Sequence, residues 1–332
     1  MKKALLPLVI ASILPSAAFA EVVVYGKANV ALQYVEKSYD APAKDISYSE
    51  VVSNASRIGV KGGESINDDL KAIYQFEYET KVDDGNNSNN QTFAQRNIYV
   101  GLQGVGGTGM IGMFDTPLKT SQEKVDLFND LVGDLKTILE GEVRAKNIVQ
   151  YSTPTISNFT FNLAVVNAEK DVANAKDGYS ASLVYATKEL YLALAADQNS
   201  KDANSATPAV KDTEILRAVG RVTLGPVVLG AMYQTYDNGT IDEDGFLASV
   251  QWNINSDWAV KGQVVQSDTF YKGYSSASIG GDYKLSKATK LFAYYTMIDN
   301  DEVAPVPVVG VVTPASKKVD EDYIGVGIEL NF

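Results

Sequence analysis

Apolar and polar side chains alternate through segments of about ten residues that recur along most of the chain, the period of a strand with two unlike faces. In the last segment Ile324, Val326, Ile328, Leu330 and Phe332 share one face, and Tyr323, Gly325, Gly327, Glu329 and Asn331 share the other. Phe159, Phe161, Leu163 and Val165 alternate in the same way with Thr160, Asn162 and Ala164. Such segments, each ending near Gly, Asp, Asn or Ser, predict about sixteen antiparallel strands, an even number. Their connections alternate in length. Lys188-Glu189, Gly225-Pro226 and Asn255-Ser256 are short, while Asp83 to Gln91, Ala168 to Gly178, Gln198 to Thr213 and Asp299 to Asp322 are long and polar. That rhythm predicts an all-β fold, an antiparallel barrel with tight turns at one rim and long loops at the other. Some strands break the alternation: Tyr191 falls on a nominally polar face, and Val219 sits between Arg217 and Arg221.

One stretch has a different period. In Val125 to Gly141, the residues Val125, Phe128, Leu131, Val132, Leu135, Ile138 and Leu139 recur at three- and four-residue spacing, which predicts an amphipathic helix. Asp126, Asp130 and Asp134 stand at i, i+4 and i+8 and form a carboxylate stripe on it. Taken alone, such a stripe is a solvated helix face.

Alternation does not say whether the apolar face meets a protein core or lipid. The start of the chain bears on the choice. Lys2 and Lys3, the apolar run Ala4 to Ile13 and the small-x-small signal Ala18-Phe19-Ala20 predict a cleaved signal peptide over residues 1–20, with a single barrel domain over 21–332. Export, the even strand count and aromatic strand ends favour lipid, hence a transmembrane β-barrel. Nineteen Tyr and eleven Phe accompany no apolar run long enough for a helical span.

Charge and missing residue types narrow the function. Removing Lys2 and Lys3 with the leader takes the formal charge from −12 to −14, which leaves no basic excess for nucleic acid. Cys and His are both absent, so disulfides, thiolate and imidazole metal ligands and the Ser-His hydrolase arrangement are excluded. The acidic stretch Asp237 to Gly245 does not fit the spacing of an EF-hand calcium loop. The expectation is a protein that is not an enzyme and uses no cofactor or bound metal.

Several segments, in order, carry a resemblance: Tyr25-Gly26-Lys27, Ser56-Arg57-Ile58-Gly59-Val60-Lys61-Gly62, Arg96-Asn97-Ile98-Tyr99-Val100-Gly101-Leu102, Gly112-Met113-Phe114-Asp115 and the terminal Asn331-Phe332. With them the chain resembles the general diffusion porins of the Gram-negative outer membrane. The resemblance implies a sixteen-stranded barrel, a homotrimer with one water-filled pore per subunit, and a third external loop folded inward, here about Asp115 to Glu142. It also implies that loop carboxylates face a basic cluster at Lys27, Arg57 and Arg96, with Arg144 at the loop's return. The Pro-Glu-Phe-Gly-Gly turn common in enterobacterial members is missing. The constriction carboxylates are therefore assigned from the helical spacing and the loop's end, as Asp126, Asp130, Asp134, Glu140 and Glu142.

Parity tests the wall residues independently. Lys27 shares a face with Asn29 and Gln33, and Arg57 shares one with Lys61, so these cations fall on the lumen side. Arg96 has Ala94, Ile98 and Leu102 as parity mates, and the resemblance alone places it in the lumen. The plainer reading is that these cations only keep the lumen wet. Phe332, a terminal aromatic on an alternating strand, looks like the signal that the barrel-assembly machinery reads. The expected function is passive diffusion of small hydrophilic solutes and ions, mildly cation-preferring, through a barrel surrounded by outer-membrane lipid and lipopolysaccharide. Two other classes compete with it. A substrate-specific channel, for example for sugars, calls for an aromatic ladder, and Tyr191, Phe292 and Tyr294 are too scattered to form one. An anchoring barrel without an open pore calls for a passenger domain or plug.

Overall fold

A computed structural model describes residues 21–39, 44–86, 89–169, 176–203, 212–240, 242–268, 274–300 and 319–332. The expected leader, residues 1–20, lies outside them. The first strands are β1 (Glu21–Tyr39), β2 (Ile46–Ser53), β3 (Arg57–Asn67), β4 (Leu70–Thr80), β5 (Phe93–Gly104) and β6 (Gly107–Asp115). A long inward loop then leads to β7 (Arg144–Ser152), β8 (Phe159–Val166), β9 (Gly178–Ala186), β10 (Leu190–Gln198), β11 (Glu214–Leu224) and β12 (Val227–Asp237). The wall is completed by β13 (Asp242–Asn253), β14 (Trp258–Ser267), β15 (Tyr274–Lys284), β16 (Thr289–Asn300) and β17 (Val319–Asn331).

Each strand pairs antiparallel with its neighbours in one sheet, and β17 returns to β1 with Lys27 opposite Asn331 and Tyr39 opposite Val319. The other edge of β1 pairs with β3 over Glu21 to Lys27 and with β2 over Val30 to Lys37. β2 and β3 are thus two halves of one wall strand, and the seventeen described segments make a closed barrel of sixteen. The break between them is internally satisfied. Ser56 Oγ accepts from the Asn29 amide at 2.9 Å and donates to the Asn29 carbonyl at 3.1 Å, while the Ser56 carbonyl accepts from the Thr80 amide.

The alternation runs opposite to that of a soluble core. Leu32, Val100, Leu194, Val250, Ile279 and Val326 stand exposed on the outer face, while Gln33, Ser182, Gln234, Gln263 and Thr296 point inward and are buried. Among the described residues no helix is long and apolar enough to cross a membrane, so the crossing is made by strands whose amides are satisfied around a closed ring. At the short-turn rim Trp258 stacks on Tyr283 at 4.5 Å, as in the aromatic girdle of a membrane barrel. The last residue belongs to the closing seam. Phe332 exchanges both backbone hydrogen bonds with Gly26, and a Cβ at Gly26 would lie 2.4 Å from the Phe332 ring, so only glycine fits there.

The helix expected over Val125 to Gly141 is not formed. That stretch is a series of turns with a 3-10 segment at Leu135–Thr137, and the short helix α1 (Pro117–Thr120) precedes it. The cause is the aspartates. Asp126 accepts from the Phe128 and Leu135 amides, and Asp134 accepts from those of Asp130 and Lys136, so side chains take donors that a helix would give to its own carbonyls. Five of the seven apolar positions read from the spacing are still buried, Val125, Phe128, Leu135, Ile138 and Leu139, while Leu131 and Val132 are half-buried against them.

Leu194, 63% exposed near the middle of β10, tests the lipid-facing side. Leu194→Arg is expected to lower barrel stability by about 2–4 kcal/mol, the cost of a cation near the bilayer midplane. Urea titration of folding into lipid vesicles, read by heat-modifiable gel mobility, measures it, and Leu194→Ala should lose less.

Candidate functional site

The loop between β6 and β7 enters the barrel and lies along the inner wall of β9 to β15. Its path is set by side chains that point inward from those strands. Tyr191 Oη donates to the Ser121 carbonyl at 2.9 Å, and Ser249 Oγ donates to the Val125 carbonyl at 2.6 Å. Gln263 accepts from the Leu127 amide at 2.7 Å and donates to Asp126 and to the Gly133 carbonyl. The wall leaves room for the loop's apolar side chains: a Cβ at Gly245 would meet Leu139 at 2.4 Å, and one at Gly280 would meet the Phe128 ring at 3.1 Å. Lys261 Nζ lies 4.9 Å from the centre of that same ring.

The five loop carboxylates divide into three kinds. Asp126 and Asp134 are 6% and 2% exposed and point into the loop instead of bordering open water, because their oxygens are taken up by the loop's own amides. Glu140 and Glu142 stand on the returning stem, where they pair with Lys201 at 2.9 Å and Arg217 at 3.0 Å. Only Asp130 of the stripe crosses to the basic wall. Its backbone is left-handed, at φ 67°, and its carboxylate lies 2.5 Å from Lys27 Nζ and 3.4 Å from Arg57 Nη1. Other loop residues are the exposed ones, Glu123, Lys124 and Lys136 with Thr120, Asn129 and Thr137, so the water-facing surface of the loop carries both signs of charge.

Electrostatics follow this division. Burial would raise the pKa of Asp130, but Lys27, then Arg57, outweigh it and hold the carboxyl below the ordinary range. Asp126 goes the other way, pushed up to about 7 by burial and then by the neighbouring charge of Asp134, against its three hydrogen bonds. Burial also raises Glu142, against the pull of Arg217.

On the opposite wall Lys27 and Arg57 sit directly across the β1–β3 ladder from each other. Lys61, two pleats further along β3, stands over the Tyr25 ring at 5.1 Å, and Tyr25 Oη donates to Glu77 at 3.0 Å. Arg96 reaches the lumen through an irregularity. The β4–β5 register shifts between Phe76 and Tyr78, so that Arg96 and Asn97 together face Glu77. Arg96 then pairs with Glu77 and Glu79, both at 2.9 Å, while Asn97 hydrogen-bonds Asp115 and Arg144. Arg144 and Lys119 close on Asp115 at 3.0 and 3.1 Å. The imperfect parity of Arg96 in the sequence was the trace of this bulge.

Sequence reasoning missed the wall's own carboxylates. Glu77, Glu79, Asp115, Asp282 and Glu329 supply most of the counter-charge, and the inward run Gln75, Glu77, Glu79 between Tyr74, Phe76 and Tyr78 was a visible signal for two of them. A continuous alternating series runs from Lys261 to Asp282 (3.3 Å), Lys290 (3.5 Å), Glu329 (3.6 Å), Lys27 (4.0 Å), Asp130 and Arg57. Tyr191, Phe292 and Tyr294 are buried, so they present no free aromatic ladder to a solute. Among the described residues no cluster of carboxylates is arranged to hold a metal ion.

A family model described as Gram-negative porin matches residues 5–303. Curated relatives are major outer membrane proteins P.IB of Neisseria species, and the chain spans about half the length of the first of them. The Neisseria lactamica protein is matched more fully, at 25% identity over 313 residues, 87% of this chain and 91% of that one. Among solved structures, the anion-selective porin from Comamonas acidovorans superposes with a TM-score of 0.73 at 19% identity, covering 95% of this chain and 100% of that chain. OmpT, an outer membrane protein of Vibrio cholerae in its trimer form, gives 0.63 at 16% identity, covering 94% and 99%. At these identities the structures speak for the fold.

The raised Asp126 carboxyl has a pH consequence. Between about pH 4, where an unfolded aspartate titrates, and pH 7 the native loop keeps a proton that the unfolded chain has lost. This contribution to loop stability is complete below that window, falls as the pH rises through it, and levels off above. The Leu135 amide, which donates to Asp126, is therefore expected to show a lower hydrogen-exchange protection factor at pH 8 than at pH 5, once the intrinsic rate is divided out. Asp126→Asn should flatten the difference.

Proposed function

This chain belongs to the Gram-negative porin family and is a β-barrel protein of the outer membrane; from that premise we propose that it conducts small hydrophilic solutes and ions passively through its lumen, narrowed by the inward loop. The observation that carries the reading is the ion contact of Asp130 with Lys27 and Arg57, which joins loop and wall across the lumen. At the edge of the water path, one carboxylate set against two cations produces a local directional field. Such a field orients dipolar solutes and disfavours apolar ones, whose ordered hydration it would disrupt, so the filter works by size and polarity without a binding site.

We assign a mild cation preference. It rests on the acidic character of the long loops, where Asp83, Asp84, Asp177, Asp212 and Asp237 gather near the mouth, and on Asp130, Glu77 and Glu79 inside. The loop's other aspartates support it less than their spacing suggested, because Asp126 and Asp134 are buried. Three copies would assemble, as the trimer form of the Vibrio neighbour and the sequence resemblance support. Lipopolysaccharide would surround the upper wall, and Phe332 would serve as the terminal signal in barrel assembly.

Single-channel recording of the refolded protein in a planar bilayer is expected to show stepwise conductance in groups of three. Reversal potentials in a salt gradient should favour cations weakly, and Asp130→Asn should shift them toward anions more than Asp134→Asn does. Silence would sink the porin reading, an anion-favouring wild type would overturn the preference, and saturable block by a sugar would favour a substrate-specific channel.

A further inference from the structure

Arg217, on β11, is completely buried, yet each of its five N–H groups has an acceptor. Nε and Nη2 donate to Gln234 Oε1 at 2.9 and 2.7 Å, Nη2 also to the Glu140 carbonyl at 3.1 Å, and Nη1 to Glu142 at 3.0 Å and to the Leu118 carbonyl at 3.3 Å. Gln234 adds its own amide to the Glu140 carbonyl at 3.0 Å. Leu118 belongs to the departing stem of the inward loop, whereas Glu140 and Glu142 belong to the returning stem. One guanidinium on the wall therefore binds both stems. Between them Gly141 turns with φ 98°, and a Cβ there would meet Leu118 at 2.6 Å and Arg217 at 3.0 Å.

We propose that Arg217 is the positioning residue of the constriction, closing the two stems of the loop against β11 and so fixing where the loop tip stands in the lumen. The inference rests on the porin reading but concerns a side chain that meets no solute. Its geometry suits that role. A planar fork with fixed donors dictates the relative placement of three loop acceptors, which a flexible ammonium does not do. Its loss would leave the buried Glu142 carboxylate with the Gln122 amide but without its ion partner, and two loop carbonyls without these donors, a strongly unfavourable state that the loop relieves by moving toward water. The departing stem would keep Ser180 on the Leu118 amide and Tyr191 on the Ser121 carbonyl, and the tip its contacts through Ser249, Gln263 and Asp130, but the returning stem would lose its clasp to the wall.

The test uses the full-length protein. Arg217→Met is expected to assemble a barrel with normal heat-modifiable mobility but to lose the single conductance level, with current wandering among substates. Hydrogen exchange over residues 118–142 should rise as well, and this readout does not depend on conduction. The absence of cysteine permits a clean rescue. A Cβ built at Gly133 lies 3.2 Å from the Ser278 Cβ, close to the separation of a disulfide, so Gly133→Cys with Ser278→Cys would tether the tip to β15. In the Arg217→Met background the oxidised tether should quiet the current, and a reductant should restore the noise. Wild-type current and unchanged exchange in Arg217→Met would overturn the proposal, as would noise that persists under the oxidised tether. If Arg217→Met does not assemble, Gln234→Leu, which removes two of the five acceptor contacts and keeps the ion pair, is read in the same two ways. A silent wild type would refute conduction, while the exchange measurement would still decide the clasp.

Discussion

A backbone amide in hydrocarbon has no water to bond with, and this constraint dictates the wall. Every strand must find a partner on both edges, so the first and last strands have to meet, and they do so over a long register from Lys27 opposite Asn331 to Tyr39 opposite Val319. Closure then puts every second side chain inside. The same alternation that would mark a core-facing sheet in a soluble protein here turns apolar residues to lipid and leaves a polar interior. Even the interrupted second wall strand obeys the rule, since the Ser56 hydroxyl and carbonyl occupy the donors and acceptor that the break would leave open.

A polar interior poses a second problem, because a loop that enters it must find partners for its own backbone. The β6–β7 loop is too irregular to satisfy itself as a helix would. It relies on side chains instead: Asp126 and Asp134 bind its amides from within, while Tyr191, Arg217, Ser249 and Gln263 bind it from the wall. Most of these wall residues are inward members of their strands, so barrel closure and loop placement are linked through parity. The Val219 that broke the sequence alternation beside Arg217 belongs to the same arrangement, packed in the interior core against the loop's apolar side.

The two periods in the sequence were legible to different depths. Period two reports which face meets lipid, a property of the wall as a whole, and so strand number, closure and the inward placement of Lys27, Arg57 and Lys61 could all be read from it. The spacing from Val125 to Leu139 correctly selected buried residues but not a helix. Burial constrains only which positions point away from water, whereas the backbone conformation was decided by carboxylates competing for amides. Arg96 could not be placed by parity because a bulge changes the count, which is a property of two strands together. Arg217 meets Glu142 from 75 residues away and Glu329 meets Lys27 across the closing seam, and no local pattern records such meetings.

The pairing of charges also explains why net charge is a poor guide to what the lumen does. The chain is acidic overall, yet from Lys261 to Arg57 the inner wall and loop tip alternate in sign at nearly every step. Alternating neighbours cancel at a distance, so the excess acidity acts mainly from the long loops, where salt screens it over about 10 Å at 0.1 M. Close to the wall the cancellation is incomplete, because the tip carboxylate of Asp130 stands against the two cations Lys27 and Arg57. The proposed selectivity then depends both on the mouth and on the charge at the loop tip. A loop held rigidly at its stems is what the tip requires, because Asp130 keeps its place beside Lys27 and Arg57 only while the loop keeps its shape.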